Sequence, residues 1–139
     1  MSTPDIVGVV LAGGLSRRME GHEKSLLSLA GKPLVSHVYD RLNQQVSQTI
    51  INANGEPERF AFLNCPIQAD TIDGFVGPLA GVLSAMRWCE ENAPEATHVL
   101  TTAADTPYFP TDLTERFQTA LKTHGNENEP AICLACSDG

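Results

Sequence analysis

The sequence predicts a doubly wound α/β domain built on a mainly parallel sheet, and three observations lead there. Short apolar runs alternate with amphipathic stretches along the chain, the first run ends at the adjacent glycines Gly13 and Gly14, and later runs end at Asn52, Asp70 and Asp105. Strand and helix in alternation impose right-handed crossovers. They also gather the carboxyl ends of the strands at one edge, where open α/β sheets bind ligands.

The elements follow in order. Ile6–Leu11 is an unbroken apolar run that reads as a buried strand, and a long strand-to-helix loop follows it. Pro33 suits the first position of a helix whose stripe is Leu34, Val35, Val38 and Leu42, running to about Gln44. Residues 48–54 give a short strand through Thr49, Ile50 and Ile51, ending in the polar turn Asn52-Ala53-Asn54-Gly55. Those asparagines suit either contact with a base or ribose or local Asx-type bonds to the backbone. Residues 56–63 read as a weak helix, 66–69 as a short strand leading into Asp70, and 70–77, with Asp73, Gly74 and Gly77, as a loop.

Pro78 opens the next helix, in which Leu79, Val82, Leu83 and Met86 recur at i, i+3, i+4 and i+7 and predict the face laid on the sheet. It ends near Asn92, with Met86 and Trp88 in the core and on its flank. Residues 97–103 form a strand that delivers Ala104-Asp105-Thr106-Pro107. Thr111-Asp112 then caps a helix with Leu113, Phe117 and Leu121 on one side, Lys122 and His124 in its last turn and Gly125 after it. The run 131–136 is strand-like and leads into Asp138-Gly139, a hairpin signal with no second strand after it. The expectation is a single domain over 1–139 whose C-terminal portion is missing, or whose open edge a partner covers.

Composition narrows the function. Hydrophobic content of 42% and charged content of 19% are those of an ordinary globular chain. A net charge of -8 argues against nucleic acid or anionic lipid as the main partner. The start of the chain, 1–5, lacks the basic region of a secretory signal, and the apolar run after it is too short to cross a bilayer. A cytoplasmic location is expected. Of the four cysteines, Cys65, Cys89, Cys133 and Cys136, the last two sit at i, i+3 of a strand-like run and point to opposite faces, so buried free thiols are expected rather than a metal site.

Charge is distributed unevenly. Four of the nine basic residues, Arg17, Arg18, Lys24 and Lys32, fall in the loop after the first run, beside the glycines. Bare amides and local cations on an acidic chain point to a polyphosphate ligand. No P-loop or G-x-G-x-x-G is present. No G-x-S-x-G, H-E-x-x-H or Cys-His signature is present either, and His22, His37, His98 and His124 are scattered. An acid near a polyphosphate calls for a bridging cation, so Asp105 is the candidate Mg²⁺ ligand, against an alternative role in capping its turn before Pro107. Without a nucleophile, direct phosphoryl or nucleotidyl transfer is the simplest chemistry.

The motifs Leu11-Ala12-Gly13-Gly14, Arg18-Met19, Glu23-Lys24 and Gly31-Lys32-Pro33-Leu34, with Asn52-Ala53-Asn54, Gly77 to Gly81 and Asp105-Thr106-Pro107, resemble the molybdenum cofactor guanylyltransferases. The resemblance covers essentially the whole chain. It implies a Rossmann-like nucleotidyltransferase fold and transfer of GMP from GTP to molybdopterin, with release of pyrophosphate. It further implies that Leu11, Ala12, Gly13, Lys24, Asn52, Asp70 and Asp105 contact GTP, and that Asp105 also binds Mg²⁺. Lys24 and Arg18 would offset charge on the leaving pyrophosphate. A cytoplasmic setting and transient contact with cofactor-delivering proteins or molybdoenzymes are implied as well. Glu20 departs from the family's glycine, Glu23 from its aspartate and Ala104 from its frequent cysteine. Full-length members carry a further βα portion that helps form the pterin pocket. Relatives with the same loop use CTP or a sugar phosphate, and a non-catalytic GTP-binding module is a further alternative.

Overall fold

The computed structural model describes residues 5–12, 18–19, 22–71, 78–124 and 132–135. Strand β1, Ile6–Leu11, is buried at all six positions. A strand buried on both faces needs cover from both sides, which is why the run lacks polar alternation. The stretch after it, expected as one loop, contains two short antiparallel pairs. These are β2 (Arg18–Met19) with β3 (His22–Glu23), and β4 (Ser28–Leu29) with β5 (Lys32–Pro33), separated by a 3-10 turn at Lys24–Leu26. Ala30 and Gly31 both have positive φ, 52° and 87°, as the turn joining β4 to β5 requires.

Helix α1 spans Leu34–Asn43 and buries Val35, Val38 and Leu42, as the stripe predicts. Pro33 is not its first residue. Its ψ of 148° is extended and it pairs with Ser28, so it stands as the cap. Strand β6, Gln48–Asn52, is followed by a 3-10 helix, Pro57–Leu63, where a weak α-helix was expected, and then by β7, Ile67–Gln68. Helix α2 spans Pro78–Asn92, β8 His98–Ala103 and α3 Leu113–His124. The backbone amide of Thr114 in the first turn of α3 donates to Gln45 Oε1 at 3.0 Å, so a side chain from beyond the end of α1 caps this helix.

The central sheet has the order β7-β6-β1-β8, and its strands run parallel. On one face Ile6 and Val10 of β1 join Ile51, Leu100 and the α1 residues Val35, Val38 and Leu42. On the other, Val7, Val9 and Leu11 join Ile50 and the α2 residues Ala85 and Cys89. The alternation along β1 therefore divides two cores, the doubly wound arrangement the sequence predicts.

Two further expectations fail. Helix α2 buries Ala80, Gly81, Ser84, Ala85 and Cys89, whereas Leu79 is 74% and Met86 50% exposed. The small residues let the helix come close to the sheet. Room is needed there, because a Cβ on Gly81 would lie 2.4 Å from Asn52 Oδ1. The residues 132–135 form no strand, and Ile132 is 92% exposed. A strand exists through its ladder, and among the described residues no strand pairs with this run. Cys136 and the Asp138-Gly139 turn lie outside the described residues.

Candidate active site

Parallel pairing brings the strand ends together. Leu11 is in register with Asn52 on one side and Ala103 on the other, and Asn52 with Gln68. The ladders continue one residue further: the amides of Ala12, Ala53 and Ala104 donate to the carbonyls of Asn52, Gln68 and Leu11 at 2.8, 2.9 and 3.1 Å. Leu11 and Ala12 are buried at this edge. Gly13 lies outside the described residues. Arg18 is placed by its backbone in β2, paired with Glu23.

At the β6 and β7 end, three side chains lock together. Asn52, 2% exposed, donates through Nδ2 to Asp70 Oδ1 at 2.9 Å and to the carbonyl of Gln68 at 3.2 Å. Asn54 Nδ2 donates to Asp70 Oδ2 at 2.9 Å, and the Asp70 amide returns a bond to Asn54 Oδ1 at 2.9 Å. Both carboxylate oxygens are thereby oriented by amides, and a guanidinium nitrogen of Arg59 donates to the Asn54 carbonyl. These are contacts between residues far apart in sequence, so the asparagines do more than shape their own turn. Next to them the Ser84 hydroxyl donates to the Ala80 carbonyl at 2.8 Å and accepts from the Thr71 amide at 2.9 Å.

At the β8 end, Lys24 Nζ lies 3.6 Å from Asp105 Oδ2, an ion pair longer than a direct hydrogen bond. The Lys24 side chain is 45% exposed and that of Asp105 14%, so the lysine can move while the carboxylate is held at the strand end. Residues more than 80 positions apart, singled out separately in the sequence, thus meet. Beside Lys24, Ser25 is buried with its hydroxyl unpartnered, a group the sequence reading passed over.

Among the described residues no three His, Cys, Asp or Glu side chains converge as metal ligands. A lone carboxylate still fits Mg²⁺, which takes one or two carboxylates and completes its shell from phosphate and water. Cys65 and Cys89 are held as thiols rather than primed as nucleophiles: burial pushes Cys65 up to about 11, and burial first, then Glu95, raises Cys89. Cys65 is half-buried and Cys89 buried, and both are free. A cavity of about 600 Å³ opens beside Asp105, between the β4 to α1 junction and the loop after β8.

Comparison with known proteins identifies the family and the fold. The profile of the MobA-like NTP transferase domain family matches residues 8–139. A molybdenum cofactor guanylyltransferase of Mesorhizobium japonicum is 44% identical over 135 residues, 97% of this chain and 62% of the relative. One of Rhodopseudomonas palustris is 46% identical over 136 residues, 98% of this chain and 63% of the relative. The chain thus spans somewhat less than two-thirds of the length of these curated relatives. Among solved structures, the molybdopterin-guanine dinucleotide biosynthesis protein A of Archaeoglobus fulgidus superposes with a TM-score of 0.60 at 25% identity, covering 86% of this chain and 57% of that one.

Proposed function

The chain belongs to the MobA-like NTP transferase domain family, and from that premise we propose that it transfers GMP from GTP to the phosphate of molybdopterin. The observation that carries this reading is the meeting of Lys24 with Asp105 at the same sheet edge as the Asn52, Asn54 and Asp70 lock. An oxygen of the acceptor phosphate attacks the α-phosphorus of GTP. The new bond is phosphorus to oxygen, the bond from the α-phosphorus to the bridging oxygen breaks, and pyrophosphate leaves with that electron pair.

Each residue has a part. Backbone groups of Leu11, Ala12 and Gly13 line the nucleotide at the end of β1, and Asn52 with Asp70 orients its base or ribose. Lys24 and Arg18 neutralise charge that grows on the departing pyrophosphate. Asp105 would hold Mg²⁺, which when bound supplies charge neutralisation between phosphate oxygens. Lys24, more exposed than its partner, exchanges its contact with Asp105 for one with phosphate as the nucleotide enters. The strand ends hold Leu11, Ala12, Asn52 and Asp105 in place before substrate arrives, so the rearrangement left for entry is chiefly that of Lys24.

The proposed setting is the cytoplasm, with transient contact to proteins that deliver the pterin or receive the product. Among the described residues no helix is long and apolar enough to cross a membrane. The test is pyrophosphate release from GTP, CTP or ATP with molybdopterin and Mg²⁺, read beside thermal shifts with each nucleotide. Release from GTP alone is expected. Stabilisation by CTP alone would sink the guanylyl assignment, and GTP binding without pyrophosphate release would reduce the chain to a nucleotide-binding module.

A further inference from the structure

We propose that the apolar shelf beyond Asp105, built from Leu29, Leu34, Pro107, Tyr108 and Phe109, seats the fused ring of the acceptor. This rests on the guanylyl-transfer reading and adds a second substrate site to it. The sheet order sets the layout. Asn52 and Asp70 stand at the β6 and β7 end against α2, Leu11 is in the middle, and Asp105 stands at the end of β8. The cavity of about 600 Å³ continues past Asp105 on the side of α1, whose first residue Leu34 lines it. With the donor's base at one end and the phosphates in the middle, the acceptor must approach from the other end, and this cavity is what the structure offers there.

Its chemistry suits a planar conjugated ring. Leu29, Leu34 and Pro107 give apolar walls to a cleft that is open on its outer side, and its volume falls in the range of small-ligand sites. Tyr108 lines this cavity with its side chain 78% exposed, so a face of its ring is open to stack on a planar ligand. The segment carrying it is held in shape. Pro107 and Pro110 bracket the aromatic pair and fix two φ angles. Arg41 Nη1 donates to the Phe109 carbonyl at 2.7 Å while its guanidinium lies 5.9 Å from the Phe109 ring, and Gln45 Nε2 donates to the Pro110 carbonyl at 3.1 Å. A pre-shaped shelf loses little freedom when a ring settles on it. The carboxylate at its inner edge places that ring within a phosphate arm's reach of the transfer centre.

The test uses the 139-residue chain and 6-hydroxymethylpterin phosphate as a fluorescent probe, with GTP titrated separately. Tyr108→Ala is expected to weaken the probe by about 2- to 13-fold, the effect of losing one stacked aromatic pair, while Tyr108→Phe keeps it and GTP affinity is unchanged in both. In turnover, Tyr108→Ala raises KM for molybdopterin and leaves KM for GTP alone. Probe affinity unchanged in Tyr108→Ala, or GTP affinity lost in step with it, overturns the assignment, the second result because the shelf then holds the donor's base. Failure of the unsubstituted chain to bind GTP would instead bring down the guanylyl-transfer reading, and is read from the separate titration.

Discussion

Gly81→Ala puts two opposing effects on one atom. In the interior of α2 alanine is favoured over glycine by about 1 kcal/mol, so propensity alone predicts a more stable protein. The added methyl, however, would lie 2.4 Å from Asn52 Oδ1, 2.9 Å from Asn52 Cγ and 3.0 Å from Leu11 Cδ2. Ordinary contact demands that the amide retreat by about 1 Å. It is not free to do so, because its Nδ2 is bonded to Asp70 Oδ1 at 2.9 Å and to the Gln68 carbonyl at 3.2 Å. Overpacking of this kind costs about 1–3 kcal/mol, and a strained bond to a carboxylate adds roughly 1.5 kcal/mol or more. The net expectation is a loss of about 1.5–3.5 kcal/mol, a fall of several degrees in melting temperature. GTP affinity should fall with it, since Asn52 and Asp70 shift together. Circular dichroism melts and calorimetric GTP titration on the same samples measure both. A variant that melts above the parent and binds GTP equally would refute the reasoning; one that melts lower but binds equally would keep the packing argument and remove Asn52 from the nucleotide site.

Asp105→Asn and Lys24→Ala should each lower turnover by roughly 10²–10³, as removal of one preorganised charge contact does, and unchanged pyrophosphate release in either would refute its role. Asn54→Ala removes one amide bond to the Asp70 carboxylate and the acceptor of the Asp70 amide, so a loss of about 1–2 kcal/mol in chemical denaturation is expected, together with weaker GTP binding. Gly8→Ala would set a methyl 2.8 Å from Leu42 Cγ and 3.0 Å from Val46 Cγ2, lowering stability by about 1–3 kcal/mol with GTP affinity per folded molecule unchanged. Burial raises the Cys65 thiol from 9.0 to about 11, so the folded state holds its proton more tightly than the unfolded chain. That contribution is complete below pH 9 and disappears as pH rises to 11. The melting temperature of the parent should accordingly drop more between pH 9 and 11 than that of Cys65→Ala, and parallel curves would count against it. Tyr39, raised by burial, then by Cys65 and Asp40, acts in the same direction in both proteins.

Much of the architecture was legible because the signals were of the kind physics enforces. Six residues without a polar side chain, too few for a typical helix and ended by two glycines, read as a strand covered on both faces, and each polar strand end was displaced to the same edge by parallel pairing. Lys24 and Asp105 could be singled out by chemistry, yet nothing in their spacing told how closely they approach. Helix α2 misled because hydrophobic periodicity measures which residues avoid water, whereas this helix is placed by how close its backbone must come to Asn52, a constraint of size. Gly81 and Ser84 carried that information as small residues on the side of the helix opposite the apolar stripe. The run 131–136 misled for a different reason: β-propensity describes a willingness to pair, and pairing depends on a neighbour. Asn54 was visible only as part of a motif, since its bond partner is 16 residues away.

The mutual grip of Asn52, Asn54 and Asp70 also governs how this corner can vary over time. Each amide is satisfied by a carboxylate, and the carboxylate is aligned by both amides, so none has a neutral replacement on its own. A change at Asp70 strands both amides, whereas a change at Asn54 leaves Asn52 with its bonds to Asp70 and Gln68 and strips the carboxylate of one donor. Asp70 is thus the hub of this corner: the two asparagines depend on it, and each depends on the other only through its carboxylate.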